Sequence, residues 1–244
     1  MRRLITVRTQ KILVADLDFF PPFNGFPKDG IAFLKRLKRN NNRPWFEKHR
    51  DKYESCVKLP MQSLIAALKP HFDQFAPEFD VNPKRSLFRV YRDIRFSKDK
   101  TPYKTHVAAH IVLRTKPKGV EGSGYYLHIE PGNVFIGGGI YMPDSDQIKR
   151  IRRAIADQPE RFLSIIESRR FKRWFGKLEG DKLQRIPQGF EQNHRMAEWL
   201  KQKQFFVWVE WPESKCHARR FLNDVAETFK EATPLVRFLN EAMG

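Results

Sequence analysis

Apolar positions along this chain change period twice. From Asp29 to Pro70 they recur at helical spacing. Ile31, Leu34 and Leu37 share one face, opposite Lys35, Arg36, Lys38 and Arg39. Asp29 suits the cap of this helix, and Asn40 to Asn42 end it. Pro44 opens a second helix, since proline is tolerated in a first turn. Trp45, His49, Tyr53 and Cys56 form its inner stripe. Pro60 kinks or restarts it, and Met61, Leu64, Ile65 and Leu68 carry it to Pro70.

The period then shortens to two. Phe88, Val90, Ile94 and Phe96 alternate with Arg89, Tyr91, Asp93 and Arg95, which predicts a strand with Arg92 on its apolar face. Ser97 to Pro102 is turn chemistry and ends it. Val107 to Leu113 predicts another strand, with His106, Ala108, His110 and Val112 on its second face. Tyr125 to Glu130 and Val134 to Tyr141 form a hairpin across Pro131-Gly132-Asn133.

Helical spacing returns at Asp144 or Ser145, with Ile148, Ile151 and Ile155 on one face. Pro159 opens a helix through Ile166. Phe171 to Pro187 reads as an irregular basic segment, and Phe190 to Lys201 includes a short helix. Phe205 to Trp211 is apolar on both faces, as for a strand inside a sheet. Two final helices are expected, the first burying Phe221, Leu222, Val225 and Phe229, the second opening at Thr233-Pro234. Strands grouped between helices give an α+β fold, a mostly antiparallel central sheet with helices packed against it. Arg114 to Ser123 reads as a loop, and nothing else resembles a linker. Residues 1–18 are therefore expected to be an N-terminal extension and 19–244 a single domain.

Composition narrows the partners. The 244 residues carry 46 Lys and Arg against 28 Asp and Glu, a net charge of +18, which favours anionic partners. The basic residues are spread over Lys35–Arg39, Lys149–Arg153 and Arg169–Arg173, whereas a dedicated nucleic-acid reader more often concentrates them. Two cysteines, Cys56 and Cys216, match no metal spacing and suit a reducing compartment. No apolar run of about 18 residues predicts a membrane span, and the N-terminal run, broken by Arg8, Gln10 and Lys11, does not read as a signal peptide. A cytoplasmic protein with no membrane partner, and no evident obligate protein partner, is the expectation.

The densest chemistry lies between Lys84 and Lys104, where eight cationic side chains face only Asp93 and Asp99. Two carboxylates cannot pair so many cations, so the excess faces water or an anion. Arg89, Arg92 and Arg95 are the expected anion forks, closed over by Lys100, Tyr103 and Lys104, with Asp93 and Glu130 orienting them. Glu130 is the expected cross-sheet partner of Arg92 or Arg89. For proton transfer the candidates are Asp93, Tyr103 and His128. His128 and Glu130 share a face, but two ligands are too few for a metal centre, and a third would have to come from His110 or Asp93; no metal site is assigned. Gly137-Gly138-Gly139 is not followed directly by a helix, so it marks a bulge or a close approach rather than a phosphate loop. Asn42, Arg43 and Trp45 read mainly as helix-end and core residues.

Arg89, Arg92, Asp93, Arg95 and Phe96, followed by Asp99, Lys100, Pro102, Tyr103 and Lys104, form the pattern RxxRDxRF…DKxPYK. With NNNRPWFE at Asn40–Glu47, GYYLHIEPG at Gly124–Gly132 and the triple glycine, it resembles a bacterial family of conserved proteins, the domain of unknown function 2461 family. The resemblance spans about Phe26 to Trp211. It implies membership and no particular activity or cofactor.

Three functions follow from these residues. The first is a basic pocket for a phosphorylated or carboxylated ligand, extending to hydrolase or transferase chemistry. The second is nucleic-acid binding, which needs the scattered basic helices. The third is a buried Arg–Asp ion-pair network of structural value. No Ser–His–Asp or Cys–His arrangement supports covalent catalysis.

Overall fold

A computed structural model describes residues 20–115 and 122–244. The expected N-terminal extension and part of the Arg114–Ser123 loop lie outside the described residues. The first half is helical: α1 (Lys28–Arg39), α2 (Arg43–Lys48), α3 (Arg50–Tyr53), a π-turn at Glu54–Lys58, α4 (Leu59–Phe75) and the single turn α5 (Pro83–Ser86). Four strands follow in chain order, β1 (Val107–Ile111), β2 (Gly124–Glu130), β3 (Asn133–Ile140) and β4 (Phe205–Pro212). Between β3 and β4 come α6 (Ser145–Asp157), α7 (Pro159–Ile166), α8 (Arg169–Phe175) and α9 (Ala197–Leu200), and α10 (Phe221–Met243) closes the chain. The sheet is antiparallel throughout, in the order β1-β2-β3-β4. This is the α+β architecture the grouped strands imply.

One sheet face is packed by α4 and α10. Tyr125 of β2 lies among Phe72, Phe79 and Phe229 with ring centroids 4.9–5.2 Å apart. Its hydroxyl donates to Thr233 Oγ1 at 3.0 Å. Gly138 faces α10 so closely that an added Cβ would stand 2.8 Å from Val236 Cγ2. The middle glycine of the run thus lets helix and sheet pack. Gly137 serves a second approach, because a Cβ there would stand 1.9 Å from the Val207 carbonyl oxygen of β4.

Several local expectations change. The helix after Pro44 begins as expected, with the Asn42 side chain accepting from Trp45 N at 3.0 Å. Asp29 does not cap α1; Pro27 holds that position and Asp29 lies within the first turn. The π-turn precedes Pro60, and α4 passes Pro70 to reach Phe75. Pro234 likewise does not start a helix, since α10 is continuous through it. Packing of Ala232, Leu235 and Val236 in the core outweighs the local cost of proline there. β4 is an edge strand, not an interior one. Its second apolar face, with Phe206 and Trp208, remains partly open.

The largest departure is Phe88–Phe96, which is not a regular strand. Only Leu87 bridges β1, at Ala109, with Phe88 N donating to Ala108 O at 3.0 Å. Beyond it the chain folds on itself: Arg92 N donates to Pro102 O at 2.9 Å and Lys104 N to Val90 O at 2.8 Å. The Asp93 carboxylate accepts from Arg95 N at 3.2 Å, a local turn that competes with a ladder. Phe96, expected in the core, is 95% exposed.

Candidate functional site

Alternation along the four strands sends one set of side chains to the face opposite α4 and α10. In register, His110 stands beside Tyr126, Tyr126 beside Gly137 and Gly137 beside Trp208. One step along, His128 stands beside Phe135, and Gly124 and Gly139 pair with one another. These residues floor a groove of about 940 Å³, walled by Arg85 to Arg89 on one side and Tyr141 and Met142 on another. Such a volume suits a small molecule, and an apolar lining with a few polar groups is the usual composition of such sites. Phe206, Trp208 and Phe135 pack ring to ring along one wall with centroids 5.2 and 5.7 Å apart. Phe88 stacks parallel to His110 on another, at 6.4 Å. The glycines of the floor are there because neighbouring strand backbone approaches them closely: a Cβ at Gly124 would stand 2.4 Å from the Ile111 carbonyl oxygen, and one at Gly139 2.2 Å from that of Phe205.

The cations of the 92–100 segment, none of which lines the groove, are arranged differently from the expected converging forks. Arg92 bonds to Asp99 and to Thr101 Oγ1, and Asp99 also accepts from Thr101 N at 2.9 Å. Arg92 therefore finds its carboxylate in its own loop, not across the sheet, and its guanidinium holds the Asp99 carboxyl down to about 2. Arg95 forks onto Asp93 at 3.0 and 2.7 Å and likewise holds that carboxyl at about 2. Lys100 donates to the Ile94 carbonyl at 2.9 Å. Both ion pairs lie at the surface, with Arg95 76% exposed, so the network is not a buried one. Glu130 faces His128, not Arg89 or Arg92, its carboxylate 3.6 Å from His128 Nε2.

Tyr103 is turned into the core. Its backbone is clasped by Asn41, which accepts from Tyr103 N at 3.0 Å and donates to its carbonyl at 2.9 Å. Its hydroxyl is buried with no hydrogen-bond partner among the described residues, and burial pushes its pKa up.

Arg89 lines the groove, and Lys104 stands beside it. Lys104 Nζ sits 4.9 Å from the centroid of Phe88, itself a groove residue. Neither cation forms an ion pair with a carboxylate among the described residues. Burial first, and then the field of Arg89, push the Lys104 pKa down. Lys104 is thus a partly desolvated cation on the Phe88 ring, within the field of the exposed Arg89.

Three histidines share this face. Burial holds His110 and His128 down to about 4, and His106 too, aided by neighbouring His128 and Lys104. His106 stacks on His128 at 4.2 Å, and Tyr126 Oη lies 3.0 Å from His128 Nδ1. The residue brought to His128 and Glu130 is thus His106; His110 lies farther along β1, and Asp93 is held by Arg95. The alternation around Val107 had put His106 on the same face as His110, and that was the available signal. The Phe135–Trp208 wall was not legible, because β4 reads as buried on both sides.

This geometry defines an α+β protein with a ligand-sized groove on one face of a four-stranded antiparallel sheet. The chain belongs to a family of conserved hypothetical proteins, DUF2461, whose profile matches residues 29–238. No curated protein and no solved structure matched the chain. Among the described residues no helix is long and apolar enough to cross a membrane.

Proposed function

We propose that the chain binds a small ligand with a flat apolar or aromatic body and a carboxylate or phosphate. The body lies over the glycine floor between Phe88, Phe135 and Trp208. The anionic group is held by Arg89 and Lys104. The observation that carries the reading is the pair of cations at the edge of an aromatic groove, neither with a carboxylate partner among the described residues. Arg92 and Lys100 take a different part: they fix the 92–104 loop from which Lys104 projects, while Arg95 pairs with Asp93 at the surface.

Nucleic-acid binding has less support. The basic helix α6 spends two of its cations on the fold. Arg152 is buried and donates to the Gln202 carbonyl at 2.9 Å, and Arg150 donates to the Met243 carbonyl at the end of α10 at 2.8 Å.

Thermal unfolding against a panel of aromatic carboxylates, nucleotides, sugar phosphates and short nucleic acids tests the reading. Ligand at about a hundred times its dissociation constant adds roughly 2.7 kcal/mol of stability. A selective shift from one flat small anion is expected. Shifts from polyanions alone, erased by salt, would overturn it in favour of nucleic-acid binding.

A further inference from the structure

We propose that His106, His128 and Glu130 form a binding site for a divalent transition-metal ion at one end of the groove. The candidate ligand atoms, one from each residue, all lie within 4.8 Å of one another. They come from adjacent strands in register, since the Val107–Ile129 pair places His106 beside Glu130 and the Ala108–His128 pair follows. Zinc takes bond lengths of 2.0–2.2 Å with imidazole and carboxylate, so binding requires the stacked His106 and His128 rings to turn toward a common point.

A second observation points to a ligand independently of the cluster. His128 is only 9% exposed, yet its Nε2 is buried with no hydrogen-bond partner among the described residues and lies 3.6 Å from the Glu130 carboxylate. A buried polar atom left in this way is costly unless something completes it. The other ring nitrogen is already engaged, with Tyr126 Oη 3.0 Å from Nδ1. With the Nδ1 proton donated to that hydroxyl, the Nε2 lone pair is free to bind a metal. Metal-bound histidines are commonly oriented by such an outer hydrogen bond.

Two imidazoles and one carboxylate suit zinc and neighbouring first-row divalent ions better than magnesium or calcium, which prefer oxygen sets. Three protein ligands leave coordination positions open, and His128 is itself part of the groove wall. An ion held here faces whatever lies in the groove. The inference goes beyond the anion reading and does not need it, because Arg89 and Lys104 are not ligands.

The test is titration of the metal-free full chain with Zn²⁺ against a chromogenic chelator, with Co²⁺ as a spectroscopic probe of the same site. One equivalent of Zn²⁺ should bind, and Co²⁺ should give visible absorption characteristic of low coordination number. His106→Ala and Glu130→Gln should each weaken Zn²⁺ binding at least tenfold. Tyr126→Phe, which removes only the support of His128, should weaken it by roughly tenfold to a hundredfold. Thermal melts of the metal-free variants establish that they fold; Glu130→Gln keeps the shape of a partly exposed side chain and guards against an unfolded His106 variant. Absence of stoichiometric binding, or equal affinity in wild type, His106→Ala and Glu130→Gln, would overturn the proposal.

Discussion

The rings of Tyr103 and Phe46 stack at a centroid distance of 4.1 Å with 21° between their planes. Tyr103 belongs to the core shared by α2 and the 92–104 loop, and its hydroxyl is a buried group without a hydrogen-bond partner among the described residues. Replacing it by phenylalanine removes an unsatisfied polar atom and keeps the packing. Tyr103→Phe should leave stability unchanged or raise it by about 1 kcal/mol, and leave ligand binding intact. Urea unfolding measures the first and the ligand-induced melting shift the second. A large loss of binding would show that the hydroxyl reaches the ligand.

Gly137 is fixed by the approach of β4. A methyl group there must push against the Val207 carbonyl oxygen at 1.9 Å, which is backbone and cannot swing aside. Gly137→Ala should cost roughly 1–3 kcal/mol, and more if the β3–β4 ladder opens. Denaturant midpoints of wild type and variant give the value. An unchanged midpoint would mean that the two strands do not approach this closely.

Arg152 separates a structural role from a nucleic-acid role. It is 8% exposed and bonded to the Gln202 carbonyl between α6 and α9. Arg152→Ala should destabilise the protein by roughly 1.5–3 kcal/mol, the range for a hydrogen bond to a charged group. Exposed Arg153 should tolerate alanine without measurable loss. Parallel melts of the two variants decide the matter; equal stability would return Arg152 to the solvent face.

His110 gives a pH dependence with a definite sign. Burial lowers its pKa from 6.5 to about 4 in the folded chain. It stands beside Tyr126 and Phe88, and the charged groups sharing its groove are Asp80, Arg85 and Arg89. Between these values the unfolded chain takes up a proton that the folded chain does not. Stability therefore falls as pH drops from about 6.5 toward 4, by at most roughly 3 kcal/mol from this residue. His110→Phe should make that part of the stability profile shallower without flattening it, since burial lowers His106 and His128 as well. An equally steep profile would assign the acid sensitivity to other groups.

The legible parts of the sequence were those in which local pattern and tertiary packing agree. The hairpin of β2 and β3 carried its turn residues and its alternation, and Asp144 caps α6 with a reciprocal Gln147 contact. Asn42 is a helix cap, as its position before Arg43-Pro44 implied. Phe88 to Phe96 was misleading because period two is also satisfied by a chain that turns back on itself. Asp93 and Asp99 each bond the loop that contains them, and that short-range chemistry outweighs the apolar alternation. Pro234 misled in the other direction, because a buried helix can absorb a proline that an isolated one would not. Among the site residues, the excess of positive charge was readable, but its division was not. Which cations meet a carboxylate and which meet the groove depends on the loop between Arg92 and Tyr103 closing on Val90.

The most direct measurement of the central claim is calorimetric titration of one flat aromatic carboxylate or phosphate, chosen from the melting panel, into four proteins. These are wild type, Arg89→Ala, Lys104→Ala and Arg95→Ala. Charged hydrogen bonds of about 1.5–3 kcal/mol predict a loss of roughly ten- to a hundredfold in affinity for Arg89→Ala and for Lys104→Ala. Arg95→Ala, whose guanidinium is bound to Asp93, should bind as wild type does. The contrary result, with Arg95→Ala losing the ligand and the Arg89 and Lys104 variants retaining it, would contradict the account and place the anion in the 92–104 loop.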